Sequence, residues 1–390
     1  MDILYLSSLC SLKEYERMFQ KFGSTSSHAS QKFNRMMVSG LIGNGCNIDA
    51  LTQRIIPVVD AEEAFRAGET EDGVHYTYLP CKSGKIINRL TTMWNAFCAI
   101  IKWHREHPQG IVICDIILGE LSLALWAASL ICRVKTVAIV TDVPSIRAGE
   151  TRTGIKAIPF RIKNAAIQAY ESYIFLTEQM NNVLNPKQKP YVVIEGIVDS
   201  NVVNEPNLIE RKYPEKVCMM AGLLEDIFGV GDLISAFKQI DCPEARLIFY
   251  GKGSSVQRII EAGNEDPRIR YCGELTNYQI VQEEKKASLL INPRPPVGAW
   301  TAYSFPSKNM EYIASGTPML AYNLSCMPEE YLQHFFYPKG NETFATLLRD
   351  VVLLEKEVLH EMGINAQKWI VQSKNAKVQT RKVVSMLSQL

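Results

Sequence analysis

Two basic side chains in the second half of the chain, Arg294 and Lys308, have the types and settings that phosphate chemistry needs. Lys308 lies in Tyr303-Ser304-Phe305-Pro306-Ser307-Lys308-Asn309-Met310-Glu311-Tyr312. Pro306 presets φ for a helix start and lacks only an N–H that would have no helical partner there. Gly316, with Pro318 two residues on, reads as the end of the same helix. The spacing therefore predicts a short helix with a lysine in its first turn. A helix N-terminus carries partial positive charge and free amide donors, so a cation is misplaced there unless an anion binds. Phosphate is the usual anion. The other reading pairs Lys308 with Glu311, three residues on and on the same face.

Arg294 follows Ser288-Leu289-Leu290-Ile291-Asn292-Pro293. Leu289 to Ile291 are apolar without alternation, the pattern of a buried parallel strand, and the prolines stop it. Arg294 is thus expected just past the carboxyl end of a strand, where open α/β sheets bind ligands. Its guanidinium can grip a phosphate through two parallel hydrogen bonds. A solvated loop arginine is the alternative. Two cations and a helix N-terminus converging on strand ends point to a diphosphate.

The elements that must hold these residues follow from the rest of the sequence. With 390 residues the chain can build two domains and a sizeable core. Its formal net charge of +1 gives no sign of nucleic-acid binding. Met1-Asp2-Ile3-Leu4-Tyr5-Leu6 reads as a first strand and not as a signal peptide. Ten cysteines without a C-x-x-C pair argue against a zinc or redox framework and fit a reduced, cytoplasmic compartment. The apolar run from Ile116 to Cys132 is broken by Glu120 and Ser122 and reads as a core helix, not a membrane span.

Apolar runs alternate with helical patterns, which implies βα units and parallel sheets. Strands are expected near 2–6, 52–58, 74–79, 111–114, 135–140, 173–176 and 191–194, then near 216–221, 245–250, 269–272, 288–292, 318–321 and 335–337. Helices are expected near 28–42, 86–106, 120–132, 158–170 and 178–185, then near 229–240, 254–263, 277–286, 306–315 and 342–357. Residues 197–214 are more polar and read as a linker. The expected fold class is α/β: two facing Rossmann-like domains, 1–198 and 199–370, with a ligand cleft between them. A C-terminal helix over 371–390 is expected to cross back to the first domain.

The second half resembles the retaining glycosyltransferases of family four, which have the GT-B fold. The matching stretches are Ala221-Gly222-Leu223, Phe228 through Phe237, Tyr250-Gly251-Lys252-Gly253, Arg270 through Leu275, and Phe305 through Pro318. Their order and spacing match over about 170 residues, the size of one domain. The resemblance implies transfer of a sugar from a nucleotide diphosphate donor bound by the C-terminal domain. It makes Glu311 the carboxylate that accepts from the donor ribose hydroxyls, a role suited to two acceptor oxygens. It makes Gly273, Glu274 and Leu275 the loop that meets the base. It makes Gly251 and Gly253 a tight turn near the donor, for which a plain structural turn is the alternative. Ser307, beside Lys308, is counted with the donor-binding residues.

The sequence departs from the family at three places. Leu223 and Phe228 stand where an arginine and a lysine often contact the diphosphate. Tyr303 replaces the earlier of two glutamates. The first-domain histidine near the reacting centre is not evident, and Asp142, in Val140-Thr141-Asp142-Val143-Pro144, is the nearest candidate. Arg294 and Lys308 are read as substitutes for the missing cations, because charge on the leaving diphosphate is the main demand of this reaction. With cations and a helix N-terminus available and no Asp-x-Asp pair in the chain, no metal or other cofactor is expected.

Ile86, Leu90, Met93, Trp94, Phe97 and Ile101 form a helical stripe flanked by Lys85, Arg89, Lys102 and Arg105. Packing against the sheet is the favoured reading of its apolar face. A second basic cluster is Arg147, Arg152, Lys156, Arg161 and Lys163. Together they suggest an anionic membrane surface as a partner, with the protein peripheral on the inner face of the membrane. The leading function is a metal-independent hexosyltransferase using a UDP-sugar and a glycan or lipid-linked acceptor in polysaccharide or glycolipid synthesis. The alternatives are a non-catalytic GT-B subunit that binds a partner or nucleotide, and a GT-B sugar-nucleotide epimerase.

Overall fold

The computed structural model describes residues 1–23, 28–56, 60–143 and 165–390. The chain forms two compact units, Met1–Ile197 with Ala376–Leu390, and Val198–Asn375.

The first unit holds an eight-stranded sheet. Its strands are β1 (Asp2–Ser7), β2 (Asn47–Thr52), β3 (Glu69–Glu71), β4 (Val74–Tyr78), β5 (Ile111–Asp115), β6 (Lys135–Val140), β7 (Ser172–Phe175) and β8 (Tyr191–Val193). The spatial order is β3-β4-β2-β1-β5-β6-β7-β8, parallel throughout except for the β3–β4 pair. β5 and β7 are buried along their whole length, and β6 at all but its first residue, Lys135, as strands covered on both faces must be. The helix Ala376–Leu387 packs on the helix His28–Gly43. The strand expected near 52–58 is instead Asn47–Thr52; its alternating apolar residues Ile48 and Ala50 pair with β1 and β4.

A charged cluster lies inside this unit. Arg54 is buried, and its guanidinium donates to Glu63 Oε2 at 2.8 Å and to the Glu63 carbonyl at 2.6 Å. Arg17 adds two bonds to Glu63, at 2.7 and 2.9 Å, and two to Glu14, both at 2.8 Å. These hydrogen bonds from Arg17 hold the Glu63 carboxyl down to about 2.

The second unit holds a five-stranded parallel sheet in the order β11-β10-β9-β12-β13. These strands are β9 (Lys216–Leu223), β10 (Ala245–Lys252), β11 (Ile269–Tyr271), β12 (Leu289–Asn292) and β13 (Met319–Ala321). The strand expected near 335–337 reduces to one bridge between Phe336 and Leu320. The expected linker packs within this unit: Asn207 and Lys212 are buried and hydrogen-bond Thr317.

Candidate functional site

The helix Ser307–Ser315 begins after Pro306 and ends where Gly316 takes the left-handed conformation, with φ of 80°. No side chain caps its first turn. Two buried side chains fix it to the sheet. The Tyr312 hydroxyl accepts from the Ala221 amide at 2.8 Å and donates to the Ala221 carbonyl at 3.1 Å, which pins the helix to the end of β9. Asn292, the last residue of β12, donates to Asn309 at 2.6 Å.

Lys308 runs from this helix over the end of β9; a Cβ on Gly222 would lie 3.3 Å from its Cε. Its Nζ donates to Glu311 Oε1 at 2.8 Å and lies 3.5 Å from Glu284 Oε1. The pairing of Lys308 with Glu311 is therefore present in the ligand-free structure. Glu284, on the helix Asn277–Lys286, is fully buried, and neither of its carboxylate oxygens has a hydrogen-bond donor. Burial raises its pKa far above the carboxylate range, with Glu311 adding to the effect and Lys308 opposing it. Burial also works against the Lys308 charge, but Glu284 and Glu311 outweigh it and raise the lysine.

Arg294 does sit just past β12, yet it is not a solvated loop residue. It is 6% exposed. Its guanidinium lies 4.1 Å from the Trp300 ring centre, and Nη2 donates to the Ser304 carbonyl at 3.0 Å. Its Nε is buried without a hydrogen-bond partner. Burial lowers its pKa from the usual arginine value. Phe228, where the family often has lysine, packs edge-on against the same Trp300 with ring centres 6.2 Å apart. A Cβ on Gly229 would meet the Pro293 carbonyl oxygen at 2.3 Å, so the loops after β9 and β12 touch. The aromatic pair thus stands beside the one cation this loop retains. Leu223 is exposed at the end of β9.

The remaining expected residues lie at neighbouring strand ends. Gly251 and Gly253 have φ of 127° and 156°, and a Cβ on them would fall 1.9 Å from the Gly222 carbonyl oxygen and 2.1 Å from that of Leu224. Close pairing of β10 with β9 accounts for both glycines. Gly273 accepts from the Gly251 amide at 2.9 Å, which ties the Gly273-Glu274-Leu275 loop to the end of β10. Glu274 is exposed and lies 3.7 Å from Lys252 Nζ. Ser307 is exposed at the helix start. Asp142 belongs to the first unit, exposed just past β6. Burial raises the pKa of Asp115, and the charge of Asp142 adds to it.

One three-carboxylate group, Asp60, Glu62 and Glu63, occurs among the described residues. The Lys21 ammonium lies 3.0, 2.8 and 3.1 Å from them, so the protein supplies its own cation there.

Residues 206–369, most of the second unit, match the family described as glycosyl transferases group 1. This stretch is thus similar to a group 1 glycosyltransferase domain. The whole chain has the GT-B fold, as solved structures show. Sucrose-phosphate synthase from Thermosynechococcus elongatus superposes with a TM-score of 0.68 at 13% identity, over 100% of this chain and 99% of the other. The lipopolysaccharide outer core galactosyltransferase WaaB, in its apo form, gives 0.63 at 13% over 100% of both chains. Anabaena HepE, in complex with UDP and glucose, gives 0.60 at 13% over 100% of both. No curated protein sequence matches the chain. The resemblance read from the sequence holds for the group 1 glycosyltransferase domain and for the fold.

Sequence reasoning missed Glu284, Trp300 and Tyr312. Glu284 is hidden in Gln282-Glu283-Glu284-Lys285-Lys286, which reads as a solvated helix end. Tyr312 stands four residues after Lys308, on the same helix face, a spacing that could have flagged it.

Proposed function

We propose that the protein is a retaining glycosyltransferase that moves a hexosyl group from a UDP-sugar to a glycan or lipid-linked acceptor. The observation that carries this reading is the arrangement at the end of β9. An uncapped helix start, Lys308 and Glu311 are fixed there by Tyr312, with Arg294 held beside the neighbouring strand. Glu311 would accept from the ribose hydroxyls, releasing Lys308 to the diphosphate. Arg294 would offer its unpartnered Nε to the same group. As the sugar–oxygen bond breaks, negative charge grows on the leaving phosphate, and fixed cations favour that state over the ground state. A bound metal would supply the same charge. We propose that these cations replace it and that no cofactor is used. HepE, a structural relative, was solved with UDP and glucose, which supports UDP as the donor nucleotide.

One observation favours a second reading, a non-catalytic subunit that binds a nucleotide. Lys308 already has two carboxylate neighbours, and Leu223 and Phe228 supply no charge. Incubation with a panel of nucleotide-sugars separates the readings. A transferase releases nucleoside diphosphate, at least slowly to water. An epimerase isomerises the sugar, and a binding subunit does neither. A thermal-shift screen with UDP, GDP and ADP assigns the nucleotide, since a ligand at a hundred times its Kd adds about 2.7 kcal/mol.

A further inference from the structure

The sequence favours burial of the stripe on the helix Lys85–Glu106. The structure divides the stripe: Met93, Phe97 and Ile101 are half-buried, while three residues are not. Ile86, Leu90 and Trp94 are exposed, by 74, 58 and 65%. The helix turns Thr92, Ala96, Ile100 and Trp103 inward instead, and Trp103 reaches Asp49 on β2 at 2.6 Å.

The helix Gly119–Cys132 packs along it. β4 to β5 and β5 to β6 advance the same way across the sheet, so right-handed crossovers put both helices on one face. After Glu120 the second helix carries no charge, and its polar side chains are Ser122, which is buried, and Ser129. Leu121, Ala124, Leu125 and Ala128 face inward, yet Leu123, Trp126 and Leu130 form an outward row. A helix without a polar face calls for cover on both sides. Two such rows on adjoining helices are a patch, unlike single exposed apolar residues.

Charge says what covers it. Residues 82–135 contain seven Lys and Arg against three Asp and Glu, a net of +4 where the whole chain has +1. Of the three acids, Asp115 is buried, Glu120 is paired with Arg89, and Glu106 is exposed beside Arg105 in sequence. No charged residue occurs from 90 to 101 or from 121 to 132. The exposed cations other than Arg89 stand at the ends: Lys82 and Lys85 before the apolar band, Lys102, Arg105 and Arg133 after it. An apolar strip containing tryptophans and flanked by cations suits the boundary between acyl chains and anionic headgroups. Among the described residues no helix is long and apolar enough to cross a membrane, so this face would lie on a bilayer and not span it.

We propose that the paired outer rows of these two helices form a surface that seats the protein on an anionic lipid bilayer. The assignment does not depend on transferase activity and is read without donor. The second basic cluster, Arg147 to Lys163, lies outside the described residues and does not enter it.

The test is flotation of the full chain with vesicles of phosphatidylcholine, with and without phosphatidylglycerol. The wild type is expected to float with the anionic vesicles and to lose binding as salt rises. Trp94→Ser with Leu130→Ser, both at exposed positions, is expected to weaken partitioning about tenfold or more. Lys102→Ser and Arg105→Ser are expected to weaken it about fivefold each. Circular dichroism checks that each variant is folded. Failure of the wild type to float on anionic vesicles overturns the proposal. So does unchanged flotation of the folded Trp94/Leu130 variant. A wild-type dimer in sedimentation that this variant dissolves would make a second copy the occupant and also overturn it.

Discussion

The Lys308 ammonium lies 3.5 Å from the Glu284 carboxylate, a group fully withdrawn from water on a different helix. A buried acid beside a lysine that should meet phosphate makes the site sensitive to pH. Burial pushes the Glu284 carboxyl up from 4.5 to about 8. The folded protein therefore holds a proton there that the unfolded chain has released. In that window the folded state binds more protons, so this residue's contribution to stability falls as pH rises from 4.5 through about 8. Glu284→Gln is expected to remove that slope. It is also expected to keep nucleotide affinity flat where the wild type loses it, because an ionised Glu284 would bring negative charge towards the diphosphate. Denaturation midpoints and UDP titrations on both sides of the window check both outcomes. Parallel wild-type and variant curves would leave Glu284 as a packing residue only.

Glu311→Ala is expected to weaken UDP binding by about 1.5–3 kcal/mol, the range for hydrogen bonds to a charged group. The carboxylate stays partly exposed on the helix that Tyr312 fixes to β9, where it can meet a ribose. Calorimetry on the folded variant measures the change, and unaltered affinity would remove the ribose role. Lys308 loses its hydrogen-bond partner in this variant, so Lys308→Ala must be measured beside it.

The Arg54–Glu63 pair gives a stability prediction independent of function. Both side chains are fully buried, and removing Glu63 takes away the hydrogen-bonded partner of Arg54 and leaves it only the Glu14 carboxylate, at 3.6 Å. Glu63→Ala is expected to cost about 3–5 kcal/mol. The sign of the pH effect is opposite to that of Glu284. The folded pKa of Glu63 is depressed from 4.5 to about 2, so its contribution is present above 4.5 and is lost as pH falls towards about 2. Urea titrations of wild type and variant at neutral and acid pH should converge at the acid end. A constant gap would place the loss in packing.

The parts of this molecule that follow local rules were legible in the sequence. Apolar runs such as Leu289–Ile291 are buried parallel strands, and Pro306 and Gly316 bracket the helix they were expected to bracket. Contacts between distant segments were not legible. Arg294 looks like a loop residue because nothing local shows that Trp300 covers it or that Phe228 meets Trp300. Glu284 looks solvated because its neighbours are charged; the turn of its helix decides that it alone faces Lys308. The stripe at Ile86, Leu90 and Trp94 has helical periodicity, but periodicity does not say which neighbour, protein or lipid, covers it.

The relation of Arg294 to Trp300 and Phe228 yields the most direct test of how the charge has been relocated. The guanidinium is stacked on one ring and bonded to the Ser304 carbonyl, which leaves Nε buried without a partner. An unmet buried donor costs about 1–3 kcal/mol, a cost that a bound phosphate oxygen would relieve. If the charge acts mainly on the leaving group, Arg294→Ala should lower kcat by about 10²–10³ while KM rises less. Arg294→Lys should not rescue, because an ammonium lacks the planar fork that both stacks on Trp300 and offers Nε. Trp300→Ala should fall between, since it frees the guanidinium without removing it. Lys308→Ala should also lower kcat more than it raises KM. Phe228→Lys should restore part of the activity of Arg294→Ala, because position 228 already meets Trp300 and would return a cation beside it. Melting curves first establish which variants are folded. Steady-state rates of donor hydrolysis or transfer then decide. Near-normal kcat in both Arg294→Ala and Lys308→Ala would end the diphosphate assignment. Arg294 would then be a brace for the Ser304 carbonyl, and Lys308 would serve as the counter-ion of Glu311 and Glu284.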